Sequence, residues 1–358
     1  MTADGDAAPP AASPPVRLPA QWEFDAIGTR WRIDSAAVLD ADTRSAVAAL
    51  IDRFDCEWSR FRDDSLVTRL ARSGGAVAAP ADTVAMLDAF VSLSDATGGA
   101  VNPLVGDALA HRGYDARYGF TDHGAQPAPA DWRDRLTWGE QRLSLSAPAT
   151  IDVGALGKGR LVDLVAQLLA SRRHGASGAS GDTGVQGVTG VQGVTGVQGV
   201  TGVQAGPVVT GIPGVPGITD DTADAFVVDA SGDIAVHGTT ERIGLEHPFD
   251  ASRAIGVWQI TGGALCASAT NRRTWIDPTG GHRLHHILDA RTGEPVRAIA
   301  ATWARATDAM TADAIATALF FDGGPEIAAR WQVDWVRMTT DGTLEWSAGC
   351  DAELFVRR

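Results

Sequence analysis

The stretch IDVGALGKGRLVD, residues 151–163, decides how this chain is read. Its glycines, Gly154, Gly157 and Gly159, loosen a strand-to-helix turn, and Lys158 stands where the helix begins. Backbone N–H groups at such a helix start can bind an anion, and the lysine adds a point charge. The spacing is neither the GxxxxGK[ST] of a P-loop nor the GxGxxG of a dinucleotide fold. The same residues equally make a Gly-rich turn that packs a helix on a strand.

C-terminal to that turn, Leu161, Leu164, Val165 and Leu168 mark the buried face of the helix. A low-complexity insert follows at 174–218, with glycine at every third position from Gly184 to Gly202 and again at Gly211, Gly214 and Gly217. The register is that of collagen, but proline is nearly absent from the repeat, so a flexible surface-loop insertion is expected. N-terminal to the turn, Asp42 is read as the cap of a helix carrying Val47, Leu50, Ile51 and Phe54. A second helix starts near Asp82, carries Leu87, Phe90 and Val91, and ends at Gly98-Gly99. Beyond the insert come short strand-like runs, AFVVDA (225–230), DIAVHG (233–238), IGVWQI (255–260) and WQVDWVRM (331–338), and a helix through MTADAIATALFF (310–321). Helices and strands mix without βαβ alternation, which predicts an α+β fold. The insert interrupts a helix-to-strand connection, so 21–173 and 219–358 are expected to form one intertwined domain of mixed sheets and helices. Residues 1–20 are expected to form a disordered Pro/Ala leader.

The chain has 358 residues, with 30 Lys+Arg against 44 Asp+Glu, a net charge of −14. That balance argues against nucleic-acid binding and against a polybasic membrane anchor. Nothing approaches the ~18 consecutive apolar residues of a membrane span. The leader has no basic n-region or apolar h-region, and the three scattered cysteines form neither a disulfide framework nor a CxxC site. A cytoplasmic setting is expected.

Three further constellations bear on chemistry. Asp313 and Thr317 stand at i and i+4 on a helix of small apolar residues, so a carboxylate and a hydroxyl share one face. Both are hard oxygen donors suited to Mg²⁺, although taken alone the pair is more simply a solvated face with the threonine bonding back to the helix carbonyls. In HHILDARTGEP (285–295), adjacent strand residues His285 and His286 point to opposite faces, and the inward one can accept a proton. TGGAVNPLVGDAL (97–109) reads as a helix C-cap leading to a strand. The absence of HExxH and GxSxG leaves zinc hydrolases and serine hydrolases without support.

In chain order, FDAIGTRWRI (24–33), EWSRFRDDSLVTRL (57–70), TGGAVNPLVG, IDVGALGKGRLVD, VVDASGDIAVHG, HHILDARTGEPV and MTADAIATAL together resemble the ApbE family of FAD:protein FMN transferases. The resemblance covers almost everything outside the leader and the insert. It implies Mg²⁺ held by the side chains of Asp313 and Thr317 and the backbone carbonyl of Ala155. It implies an FAD site lined by Asp152, Lys158 and Ile287. Ile27 stands where the family has a Met that packs on the flavin nucleotide. Phe61 stands at an aromatic ligand-packing position, and Ala100, Val101 and Asn102 at the stretch that holds the adenosine end. Ser268 matches the serine of a strand end, and His286 matches the histidine near the scissile phosphates. Departures from the family pattern include Asn102 for Asp, Ser231 for Gly, and Ala269 for Gly. The implied reaction is Mg²⁺-dependent transfer of FMN from FAD to a Thr/Ser hydroxyl of an acceptor flavoprotein, with AMP released. Lys158, Arg160, Arg273 and Arg291 are then available to hold the anionic dinucleotide. Two other functions fit the same residues: an Mg²⁺-dependent FAD pyrophosphatase giving FMN and AMP, and a flavin-binding protein without catalysis.

Overall fold

A computed structural model describes residues 17–177 and 224–355; the leader through residue 16 and most of the 174–218 insert lie outside the described residues. The chain opens with a hairpin, β1 (Ala20–Ala26) and β2 (Thr29–Ser35), then α1 (Ala41–Trp58) and α2 (Leu66–Ser73). β3 (Gly75–Ala78), α3 (Thr83–Ala96), α4 (Gly106–His111), α5 (Trp132–Arg135), β4 (Leu136–Trp138), β5 (Arg142–Leu145) and α6 (Gly157–Ser177) complete the first half. The second half runs β6 (Phe226–Asp229), β7 (Asp233–His247), β8 (Asp250–Ala269), β9 (Thr274–Ile276), β10 (Arg283–His285), β11 (Leu288–Asp289) and β12 (Glu294–Pro295). It ends with β13 (Ile299–Ala306), α7 (Ala309–Ala318), α8 (Gly324–Arg330), β14 (Asp334–Thr339), β15 (Leu344–Trp346) and β16 (Glu353–Leu354).

The main sheet has the order β1-β2-β6-β7-β8-β13-β14-β15, with β16 added on β8. Every pairing is antiparallel. β2 pairs with β6, so strands from both halves of the chain share one sheet, and the fold is α+β without a parallel core. β6 shows why AFVVDA is continuously apolar: Phe226 and Val228 pack into the helix-side core, while Val227 packs into a second core on the opposite face. A strand buried on both faces has no polar alternation. α6 and α7 pack against each other on the helix side, and α7 lies on β8. No helix among the described residues is long and apolar enough to cross a membrane.

Three local expectations change. Asp40, not Asp42, caps α1, accepting from Thr43 N at 2.6 Å. Asp40 has the extended backbone that a cap needs, whereas Asp42 lies in the first turn, where a carboxylate gains only from the helix dipole. The buried stripe of α6 is Leu161, Val162, Val165 and Leu169, with Leu164 and Leu168 half-exposed, because α1 and α7 flank the helix and rotate its covered face. After Gly98-Gly99 no strand forms. Asn102 Oδ1 accepts from Leu104 N at 2.8 Å, closing a turn around Pro103 that enters α4.

Candidate active-site cleft

The turn at 151–157 is built by two bonds onto the Val153 carbonyl, from Leu156 N at 3.1 Å and Gly157 N at 2.7 Å. The second glycine of the turn starts α6, and the third, Gly159, sits where α6 meets α7. Gly159 N donates to Asp313 Oδ2 at 3.0 Å. A Cβ at Gly159 would lie 2.6 Å from the Ala309 carbonyl carbon and 2.8 Å from Asp313 Cβ, so only glycine permits this approach. Lys158, on the adjoining face, reaches Asp233 Oδ2 at 3.0 Å and the Ala230 carbonyl at 3.3 Å. Burial opposes the lysine's charge, but Asp233 and Asp313 outweigh it and raise its pKa.

Asp233 and Asp313 are both buried. Burial, then repulsion from Asp233, pushes the Asp313 carboxyl well above the usual carboxylate range, against the opposing pull of Lys158. Asp233 and Asp313 repel each other across one ammonium, and a cation bound there would relieve that repulsion. The oxygen donors Asp313, Thr317 and the Ala155 carbonyl are of the hard type that suits a divalent cation such as Mg²⁺. Among the described residues no group of three or more His, Cys, Asp or Glu side chains could hold a metal, so such an ion would depend on the hydroxyl, the carbonyl and ligand oxygens.

Above this buried centre opens a cleft. It is lined by Ile27 from the β1–β2 turn, Phe61 beyond α1, and Ala100, Val101 and Asn102 from the loop after α3. Asp152, Ala155 and Lys158 line it from the Gly-rich turn, Ser268 from the end of β8, His286 and Ile287 from beyond β10, and Thr317 from α7. Asp313 is absent from the lining; it lies one helical turn behind Thr317. Ile27 occupies a left-handed conformation (φ 46°), unusual for a β-branched residue, in the two-residue turn that joins Ala26 to Thr29. Ser231, also left-handed, donates from Oγ to the Arg30 carbonyl at 2.7 Å and ties the β6–β7 turn to that hairpin.

The histidines separate as alternation requires, although His286 lies just past the end of β10. His285 Nε2 is 3.0 Å from the Val296 carbonyl, whereas His286 faces the cleft with Nδ1 buried and unpartnered. Burial, reinforced by Arg273, holds His286 well below the usual histidine pKa, so its imidazole is neutral at pH 7.

Several sequence-based roles shift. Asn102 lines the cleft, yet its Nδ2 donates to the Pro129 carbonyl at 2.9 Å and its Oδ1 serves Leu104, so its polar groups are spent on the loop. Asp152 is likewise committed, to Arg60 Nε at 2.5 Å and Gly154 N at 2.7 Å. Arg160 is paired with Asp82 at 2.6 Å, and Arg291 with Asp289 at 2.6 Å; neither lines the cleft, while Arg273 does. Sequence reasoning missed Trp58, Arg60 and Tyr114 in the wall. The signal was present in HRGYDARYGF: Tyr114 and Tyr118 are the chain's only tyrosines. Phe61 stacks on Tyr118 (centroids 5.5 Å apart, planes 8°), and Tyr114 stacks on Trp275 (5.5 Å, 12°).

The ApbE family model matches residues 27–198 and 218–335. An FAD:protein FMN transferase of Rhodobacter capsulatus is 32% identical over 126 residues, covering 33% of this chain and 24% of that protein, so the match spans about a quarter of the relative's length. The crystal structure of the ApbE protein of Thermotoga maritima matches with a TM-score of 0.65 at 20% identity, over 92% of this chain and 97% of that one. The flavin transferase ApbE of Vibrio cholerae gives 0.63 at 20% identity, over 92% and 97%. The flavinyl transferase ApbE of Pseudomonas stutzeri gives 0.62 at 18%, over 92% and 94%. At these identities the solved structures show a shared fold.

Proposed function

This chain belongs to the ApbE family, and from that premise we propose that it is an Mg²⁺-dependent FAD:protein FMN transferase that modifies a Thr or Ser of an acceptor protein. The observation that carries the proposal is the convergence, on one cleft, of a helix-start lysine, a neutral histidine whose Nδ1 has no partner, and Thr317, with the buried Asp313 behind. Mg²⁺ held by Asp313, Thr317 and the Ala155 carbonyl would offset charge on the phosphate oxygens.

This chain's own residues do the rest. Lys158 and the amides at the start of α6 hold the pyrophosphate, and Arg273 adds a second cation. The acceptor hydroxyl oxygen bonds to the FMN-side phosphorus as the bond from that phosphorus to the bridging oxygen breaks. AMP leaves with that oxygen. The hydroxyl proton passes to the neutral His286 imidazole, whose Nδ1 has no protein partner to give up. A cytoplasmic setting agrees with the three free thiols, Cys56, Cys266 and Cys350.

Chromatographic measurement of AMP released from FAD, with and without acceptor protein and Mg²⁺, tests the proposal. Release that requires both is expected. Equal release without an acceptor would establish hydrolysis instead, and no release under any condition would end the enzymatic reading.

A further inference from the structure

One charged pair in the cleft wall has no part in the chemistry above. The Arg60 side chain, 4% exposed, donates Nε–H to Asp152 Oδ2 at 2.5 Å and Nη1–H to the Tyr114 carbonyl at 2.7 Å. Its guanidinium carbon lies 4.2 Å from the Phe61 ring centroid and 5.0 Å from that of Tyr114. Four contacts therefore fix its plane. Nη2 remains buried with no acceptor, and so does Trp58 Nε1 in the same wall. Folded proteins leave few buried donors unpaired, and two in one cleft wall call for an acceptor that arrives with the ligand.

The kind of acceptor follows from charge. Asp152 already neutralises Arg60, whereas Arg273 lines the same cleft with no carboxylate partner among the described residues. A neutralised guanidinium clamps phosphate poorly but still donates in its plane to a carbonyl or ring nitrogen. Phe61, Val101 and Ile287 line the same cleft and suit the apolar faces of a planar ring better than a phosphate.

We propose that Arg60 determines specificity for the ligand's planar heterocycle, donating from Nη2 to an acceptor on the ring edge, and that Asp152 is a positioning residue that holds Arg60 rather than a ligand contact. The inference rests on FAD as the occupant of the cleft. FAD carries two rings with such acceptors, the flavin dione and the adenine, and the test separates them.

FMN, AMP and inorganic pyrophosphate are titrated calorimetrically against the wild type, Arg60→Lys, and the charge-balanced double variant Arg60→Met/Asp152→Asn. Affinity for one of FMN or AMP should fall about 10- to 100-fold in both variants, the span of a lost charge-assisted hydrogen bond. The other nucleotide and pyrophosphate should stay within about twofold, the scale of an untouched contact. The ring that suffers is the one Arg60 reads. An unchanged affinity, an equal loss for all three probes, or full recovery in Arg60→Lys would overturn the inference, since each implies a structural or purely charge-based role. If the double variant does not fold, Arg60→Lys decides the matter alone. A wild type that binds none of the probes and no FAD would overturn the FAD reading itself, which separates that failure from this one.

Discussion

Gly159→Ala is the sharpest single test of how the fold builds the site. In an ordinary helix interior this change stabilises by about 1 kcal/mol, because alanine has the higher helix propensity. Here the added methyl meets the Ala309 carbonyl group and Asp313 Cβ, the carbonyl carbon at 2.6 Å. These are α7 backbone and the root of a buried side chain, so neither can swing away. Overpacking of this kind costs about 3 kcal/mol at the upper end of its usual range. Spreading the helices also stretches the 3.0 Å bond from Gly159 N to Asp313, which as a bond to a carboxylate contributes about 2 kcal/mol. The clash and the lost bond exceed the propensity gain, leaving a net destabilisation of about 4 kcal/mol. Urea unfolding reads it as a lower midpoint at unchanged slope. Gly139→Ala, where an added Cβ meets nothing within 4 Å, serves as control and should stay within about 0.5 kcal/mol of wild type. AMP release from FAD should fall in Gly159→Ala as Asp313 is displaced. A Gly159→Ala protein as stable and active as wild type would refute the close approach of α6 to α7.

Asp163 accepts from Ala309 N at 2.7 Å and Met310 N at 2.9 Å, and burial pushes its pKa from 3.8 up to about 6. A folded pKa above the unfolded one gives stability that is full below the unfolded value and is lost as pH rises through about 6. The stability of wild type relative to Asp163→Asn should therefore fall by about 2 kcal/mol between pH 4 and 7, and a pH-independent difference would contradict this. His286→Ala should slow transfer by about 10²–10⁴, while His285→Ala, which removes a ring held between the Val296 carbonyl and Ile287 N, should cost less than about tenfold; equal effects would remove the assignment of the base. Because burial keeps His286 neutral, the wild-type rate should be flat from pH 7 to 8, and a rate that climbs through that interval would point to another base. Replacing residues 178–218 with a short Gly/Ser linker should leave melting temperature and FAD affinity nearly unchanged, because the repeat is too poor in large apolar residues to anchor a core; loss of folding would show a structural role.

What was legible in the sequence was local and periodic. The i, i+4 spacing of Asp313 and Thr317 and the glycine spacing of 151–163 both survive into the structure, because helix and turn geometry follow from neighbours in the chain. What escaped was long-range. Arg60 meets Asp152 across 92 residues, and Lys158 meets the Ala230 carbonyl across 72, so no local pattern marks either contact. The family resemblance places Asp152 and Asn102 at ligand positions, while in the structure Arg60 and Gly154 N take up the Asp152 carboxylate and Leu104 N and the Pro129 carbonyl take up the Asn102 amide. The α6 stripe was misjudged by one position because periodicity gives a face, whereas α1 and α7 decide how far that face extends. Arg160 and Arg291 each found a carboxylate nearer than the cleft, an outcome that net charge alone does not foresee.

The intact mass of a candidate acceptor protein, measured after incubation with this protein, FAD and Mg²⁺, decides whether FMN is transferred. A transferase adds one FMN group to a Thr or Ser and releases an equal amount of AMP, and Asp313→Ala does neither. An acceptor of unchanged mass, or one labelled equally well by Asp313→Ala, would contradict the proposed function.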